Sequence, residues 1–454
     1  MKILLINPSS FINELGFFKR KIFKEAVNTI PPIGLMYIQA HLRKQGNLVK
    51  IYDYYLEPNI DKLNNLVTDF SPDVIGFSST SPAIKNTQKI HDYLRKRHKF
   101  ISVLGGAHIT ALPEFLLESN FDYGVVGEGE YALSELVEHI KGNREITNVS
   151  SLLYKEKNES LCINKVNRND SIDFVDMPDY SDIELKRYKP VSFSKKNPCV
   201  PIIVSRGCPF DCTHCNKSIF ERKVIYRDIE NIKKEINFLI KKHNIKELVF
   251  FDDMFMENRD LVFQISDFLS YKDLSWSCSS RADQVDEKML KRMKEGGCYQ
   301  LFFSFGSGSD KVLSSFNKQT TVKQNKKVIE TTKKVDMEVR GSFIVGSPGE
   351  TKESLEKTFE FALKNDIDFI DFSIYRNLPG NTFPEKNDKE GEEGALNHPK
   401  GISKNKLRKK VSRTYRKFYF QFNCILKILE RTKSPGNLAN NFYSILYDVF
   451  LHKF

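Results

Sequence analysis

The chain has 454 residues, 40% of them hydrophobic and 35 of them Phe, enough for two to four packed units and not the composition of a disordered polymer. Its formal charge of +12 is uneven: residues 401–454 hold 12 Lys/Arg against 2 Asp/Glu, and the rest is close to neutral. A basic tail on a near-neutral body argues against an extended nucleic-acid surface, and no run approaches the roughly 18 apolar residues of a membrane span.

The opening MKILLINPSS carries the short apolar run Ile3–Ile6 before Asn7-Pro8. That is too short for the apolar part of a secretory signal and reads as a buried strand, which predicts a cytoplasmic protein. Further strands are expected at Val49–Asp53, Val74–Ser78, Ile101–Leu104 and Tyr123–Val126. Between them Leu35, Ile38 and Leu42 precede Gly46, and Leu133, Leu136, Val137 and Ile140 precede Gly142. Each set makes one helix face with a glycine C-cap. Residues 1–145 are thus expected to form a doubly wound parallel sheet with its ligand site at the carboxyl ends of the strands.

Residues 146–193 are polar and read as a linker, with a hairpin around Ser151–Lys155 and Ser160–Val166. From Pro201 a second alternation predicts strands at Ile202–Ser205, Leu248–Phe251, Leu274–Cys278, Leu301–Phe305, Val339–Val345 and Phe369–Ile374. Residues 194–384 therefore suit a partial (β/α)6 TIM barrel with catalytic groups on the loops after its strands. Residues 385–454 form a basic, helical C-terminal region; Lys404–Lys417 precedes aromatic Phe418–Phe422 and Ile425, Leu426, Ile428 and Leu429. Helices closing the barrel are the favoured reading of this tail, and peripheral contact with a lipid surface or an anionic partner is the alternative.

Three of the eight cysteines, Cys208, Cys212 and Cys215, crowd into one loop after the first barrel strand, which suits a metal site rather than a disulfide framework. At C-x3-C-x2-C spacing each thiolate can take one iron of a [4Fe-4S] cubane, leaving the fourth iron open. An open iron can chelate the amino and carboxylate groups of S-adenosylmethionine, whose reductive cleavage yields a 5′-deoxyadenosyl radical. The alternative is zinc bound by the three cysteines and His214 or a remote histidine. His214 lies between two of the cysteines, where closing on the same ion is awkward; it remains a candidate cofactor contact.

With Ser205-Arg206-Gly207 ahead of the first cysteine, the sequence resembles the radical S-adenosylmethionine superfamily. The resemblance implies that Asp252 or Asp253, in Phe250–Phe255, contacts the methionine amino group, the alternative being a helix cap. Arg281 would face the methionine carboxylate or form a surface salt bridge. Gly341–Glu350 resembles the fifth-strand signature, in which the Ile344–Gly346 backbone flanks adenine; Glu350 alternatively starts the next helix. Gly306 stands where relatives usually have an acid that often contacts the ribose, and Ser307 is a weak substitute.

The leading domain is similar to the cobalamin-binding branch of the superfamily. The residues that carry this are Asn7-Pro8-Ser9, Pro31–Gly34, Ser78–Ser81, Gly105–His108 and Val126–Glu130. The resemblance implies that Ser9, Gly34, Ser79, Thr80, Gly106, His108, Gly127, Glu128 and Gly129 surround a corrinoid, glycines admitting the ring and hydroxyls bonding its amide arms. No D-x-H-x-x-G is present, so cobalt is expected to lack a lower histidine from this domain; His108 is the one candidate, and a loop hydrogen bond is its favoured role. The function implied is cobalamin-dependent radical methyl transfer to an unactivated carbon of a small molecule or natural-product intermediate. A low-potential donor of flavodoxin or ferredoxin type would supply electrons, and no nucleic-acid partner is expected. The alternatives are radical cyclisation, rearrangement or oxidation without methyl transfer, and a non-catalytic cobalamin or cluster sensor, to which Gly306 lends support.

Overall fold

Apolar runs flanked by amphipathic stretches become two parallel sheets in the computed structural model, which describes residues 1–8, 29–175, 177–188, 194–220, 222–383, 399, 401–421 and 424–427. The first sheet holds β1 (Lys2–Asn7), β2 (Leu48–Asp53), β3 (Val74–Ser78), β4 (Ile101–Gly105), β5 (Tyr123–Val125), β6 (Leu152–Lys155) and β7 (Leu161–Ile163). Its order is β2-β1-β3-β4-β5-β6-β7. The first five strands are parallel. Ile3, Leu4, Leu5 and Ile6 are each at most 1% exposed, because helices cover both faces of the sheet. Leu35, Leu42, Leu133, Leu136 and Val137 pack on one face, and Leu63, Val67, Ile84, Ile90 and Leu94 on the other. After β1 the chain crosses first to β2 and then back past β1 to β3, which opens a crevice at the carboxyl ends of the central strands.

The expected hairpin forms, but β6 pairs antiparallel with β5, so the sheet runs past residue 145 into the expected linker. Leu152 and Leu153 are fully buried and explain the attachment. The following segment is a strap across the N-terminal domain. Arg43 pairs with Asp179 at 2.6 Å, Gln39 donates to Asp182 at 2.6 Å, and the Tyr188 hydroxyl donates to Asp53 at 3.0 Å.

The second sheet holds β8 (Cys199–Ile202), β11 (Glu247–Phe250), β12 (Ser275–Ser280), β13 (Cys298–Gly306), β14 (Glu338–Val345) and β15 (Phe369–Ile374). All six are parallel, in sequence order, with helices between them: a half barrel. The first strand ends earlier than its apolar pattern suggests. Val204 N donates to Asp252 at 2.8 Å, and Ser205 N donates to the same oxygen. β9 (Ser205–Arg206) turns aside and pairs antiparallel with β10 (Ile225–Tyr226).

The helix Lys404–Tyr419 lies on the outer strand of the half barrel. Phe372 N donates to the Tyr415 hydroxyl at 2.6 Å, and the Tyr419 hydroxyl donates to Ile370 O at 2.9 Å. Leu407, Val411 and Phe418 are buried beneath it, so its apolar face is spent on packing. Ile428, Leu429 and the rest of the tail lie outside the described residues, as does the charged segment 384–398. Among the described residues no helix is long and apolar enough to cross a membrane.

Candidate functional site

The carboxyl ends of β1, β3, β4 and β5 face β9 and the loop after β11 across a cavity of about 340 Å³. Leu5, Leu35, Ile38, Phe77, Val103 and Leu133 make its N-terminal wall apolar; Ile203, Ile219, Phe220 and Phe251 do the same opposite. Glycines form the floor. Gly106 sits at φ 97°, ψ −173°, a conformation essentially reserved for glycine. A Cβ there would stand 2.6 Å from Ser79 O and 2.7 Å from Ser79 N. A Cβ on Gly129 would meet Ile38 Cδ1 at 3.0 Å, and Gly127, also at positive φ, lies against the Arg168 guanidinium. A wide apolar slot with a side-chain-free floor fits a planar macrocycle.

Of the residues expected around such a ring, Gly34, Gly106, Gly127, Glu128 and Gly129 line the cavity. Ser79 and His108 turn inward instead. The Ser79 hydroxyl bonds Thr87 at 2.9 Å, and His108 Nδ1 bonds the Ser81 hydroxyl at 3.1 Å while its ring packs edge-on against Phe115. Burial lowers the pKa of His108, which favours the neutral ring. Thr80 is exposed at the start of the 81–83 turn, and Ser9 lies outside the described residues. Glu128 is at the wall but its oxygens are committed: one accepts from Arg206 at 2.8 Å, the other from Asn169 N at 2.9 Å.

The cysteine loop leaves β9 through Gly207, whose φ is 95° and whose missing Cβ makes room for the Lys223 carbonyl. Several contacts hold the loop without using a sulfur. Thr213 N donates to Phe316 O at 3.0 Å, Asn317 donates to Asp211 O at 2.9 Å, and the Arg281 guanidinium covers Phe210 at 3.5 Å. Although Cys215 reaches solvent, desolvation by the surrounding loop pushes its thiol up to about 11, and neighbouring Cys208, Cys212 and Asp253 add to it. Cys208 is raised by burial and then by Asp253 and Cys212. Among the described residues no three Cys, His, Asp or Glu side chains gather tightly enough to hold one metal ion. A cubane does not ask for that, since each thiolate binds a different iron. His214 packs edge-on against Phe316 at 4.8 Å, and burial takes its pKa down to about 4. Three thiolates on one loop fit a cubane, which takes one thiolate per iron.

The two candidate acids divide. Asp252 is buried, with Oδ1 accepting from Val204 N and from the Ser205 hydroxyl, both at 2.8 Å, and Oδ2 buried without a partner. Burial pushes it up to about 7. Asp253 instead opens on the cavity beside Cys208 and Cys215, its carboxylate accepting from Gly207 N. Neither caps the next helix, which is capped by Asn258. Arg281 is buried rather than on the surface; it pairs with Asp283 at 2.8 and 3.0 Å and donates to Lys318 O at 2.8 Å. Lys318 is itself buried, which lowers its pKa, while the nearby Cys212 and Cys208 work against that shift.

Ser307 does not replace the missing acid, because its hydroxyl is wholly buried and bonds Thr358 at 2.8 Å. Gly306 has φ 79°, and a Cβ there would press on Leu313 at 3.3 Å. At the end of β14, past Ile344, Gly346 at φ 82° donates its N–H to Glu350 at 2.5 Å. Thr351, not Glu350, caps the following helix. Burial pushes Glu350 from 4.5 up to about 7, so between those values the fold holds a proton that the unfolded chain releases. That contribution to stability is complete below about pH 4.5 and disappears as pH rises through about 7. Glu350→Gln should therefore show a flatter unfolding midpoint than wild type between about pH 4.5 and 7. Parallel curves would count against it.

Arg206 and Glu130 fall in sequence motifs that give neither of them a role, and Phe210 and Lys318 carry no such signal. The available signal was Glu128 and Glu130 in an otherwise apolar wall, since buried acids require a cation.

A B12 binding domain model matches residues 19–137, and a Radical SAM superfamily model matches residues 202–362. An uncharacterized methyltransferase of Pyrococcus horikoshii is 32% identical over 388 residues, covering 84% of this chain and 82% of that one. The anaerobic magnesium-protoporphyrin IX monomethyl ester cyclase of Rubrivivax gelatinosus is 26% identical over 380 residues, 80% of this chain and 68% of its own. Among solved structures, the cobalamin-dependent S-adenosylmethionine radical enzyme OxsB superposes with a TM-score of 0.68 at 21% identity. The match covers 79% of this chain but only 51% of OxsB, so the chain spans about half of that protein's length. Both family models fall in the order of the two sheets, and the Pyrococcus relative spans most of both chains; the protein belongs to the cobalamin-dependent radical S-adenosylmethionine methyltransferase family, whose cofactors are cobalamin, a [4Fe-4S] cluster and S-adenosylmethionine.

Proposed function

We propose that this protein transfers a methyl group to an unactivated carbon of a small molecule or natural-product intermediate. The observation that carries this reading is the apolar cavity that the glycine floor shares with Asp253 beside the cysteine loop. When bound, the cluster with S-adenosylmethionine supplies a hydrogen-abstracting radical, and cobalamin supplies the methyl group. Cys208, Cys212 and Cys215 hold the iron. Asp253 accepts from the methionine ammonium, a role that a carboxylate facing the cavity beside Cys208 can fill. Gly106, Gly127 and Gly129 would admit the corrin ring, and the Ile344–Gly346 backbone would hold the adenine. Phe77, Phe220 and Phe251 keep water away from the reacting groups. A flavodoxin- or ferredoxin-type donor would supply the electrons, and the exposure of Cys215 supports its approach from that side of the loop. The reducing cytoplasm is the compartment that this chemistry requires.

The test is an anaerobic culture expressing the protein and fed methyl-labelled methionine. A labelled small molecule that depends on an intact Cys212 supports methyl transfer. If the purified protein forms 5′-deoxyadenosine but no labelled molecule accumulates, the reading gives way to radical cyclisation or rearrangement.

A further inference from the structure

We infer that Arg206 mechanically couples the two cofactor sites, so that filling one strengthens ligand binding at the other. This rests on the two-cofactor reading above. Arg206 is two residues ahead of Cys208, yet its guanidinium reaches into the N-terminal domain. There Nη1 donates to Glu128 at 2.8 Å and Nη2 donates to Glu130 at 2.8 Å. All three side chains are at most 7% exposed, and the guanidinium also lies 5.1 Å from the Tyr37 ring centroid. Glu128 and Glu130 flank Gly129, and the four residues from Gly127 to Glu130 line the cavity.

Neither end of this connection has slack. On the barrel side, Gly207 is wedged against the Lys223 carbonyl, so a displacement of Arg206 passes to Cys208 rather than being absorbed between them. On the other side, Asn169 N pins the second oxygen of Glu128 at 2.9 Å. A ligand seated against the Gly127–Glu130 loop fixes both carboxylates, the carboxylates fix Arg206, and Arg206 fixes the root of the cysteine loop. Burying an arginine between two acids is a poor way to gain stability, because desolvation consumes much of the attraction. It is an effective way to fix relative position, since two directional charge-assisted bonds admit one arrangement. Coupling of this kind is reciprocal: whatever the cluster does for cobalamin affinity, cobalamin does for cluster retention.

The experiment measures hydroxocobalamin affinity of the full chain by equilibrium ultrafiltration, before and after anaerobic reconstitution of the cluster. Wild type is expected to bind at least about fivefold more tightly with the cluster in place, within the usual range for coupled sites. In Arg206→Lys, which keeps the charge but not the fork, and in the near-isosteric Glu130→Gln, the ratio should fall toward one while both cofactors still bind. Iron loss to a chelator should slow when cobalamin is present in wild type and change less in the variants. Equal wild-type affinities, or an undiminished ratio in folded Glu130→Gln, would overturn the coupling while leaving the proposed function intact. Failure of wild type to bind any corrinoid, or to assemble any cluster, would bring down that reading itself.

Discussion

Cys212→Ala is expected to lose the brown absorbance of the reconstituted protein and to reduce 5′-deoxyadenosine formation to background. Cys212 is 8% exposed and interacts with the thiols on both sides, whereas Cys215 reaches solvent. With one of four irons reserved for S-adenosylmethionine, three thiolates are the minimum the protein can offer. Removing one leaves two ligands and a second bare iron, which water or chelator will attack. The fold should survive the change. The loop is held by Thr213, Asn317 and the Arg281–Phe210 stack, none of which involves the sulfur. Iron content and thermal unfolding measured on the same sample therefore separate loss of the cluster from loss of structure. A variant that kept both the absorbance and the nucleoside product would refute the iron assignment.

Gly106→Val should fail differently, losing cobalamin and destabilising the fold together. At φ 97° and ψ −173° a branched side chain is forced into a glycine-only region at a cost of about 1–3 kcal/mol. Its Cβ would also overlap the Ser79 backbone at 2.6 and 2.7 Å, and Ser79 cannot retreat because its hydroxyl is tied to Thr87. The combined loss should exceed about 3 kcal/mol, placing it among the severe single substitutions. Gly34→Ala provides the contrast: it lines the same cavity, but its Cβ would meet nothing within 4 Å. Chemical denaturation and corrinoid retention on the pair will show whether the floor needs glycine at Gly106 for backbone reasons. Equal stability of the two variants would remove that explanation.

Much of this arrangement was readable from the residue order. Parallel strands buried on both faces announce themselves as short apolar runs, and Val74–Ser78 and Phe369–Ile374 fall where the pattern put them. The cysteine spacing carried its own chemistry. The features that escaped depend on partners far away along the chain. Arg206 finds its acids 76 and 78 residues back, and no local pattern links them. The early end of β8 is caused by Asp252, 47 and 48 residues on, which competes for the Ser205 and Val204 amides. Ser307 stands beside the position of the missing acid, but Thr358 on a distant helix captures its hydroxyl. Periodicity reports which face of an element is apolar; it does not report which polar atom answers which.

The two tyrosine hydroxyls on β15 carry a further consequence. A half barrel, unlike a closed one, ends in a strand whose outward amide and carbonyl groups invite another molecule to zip on. Tyr415 and Tyr419 occupy two of those groups from the side, where no second backbone can follow in register. The C-terminal helix thus serves as a selvedge, finishing a fabric that would otherwise unravel into sheet-to-sheet adhesion between neighbouring copies.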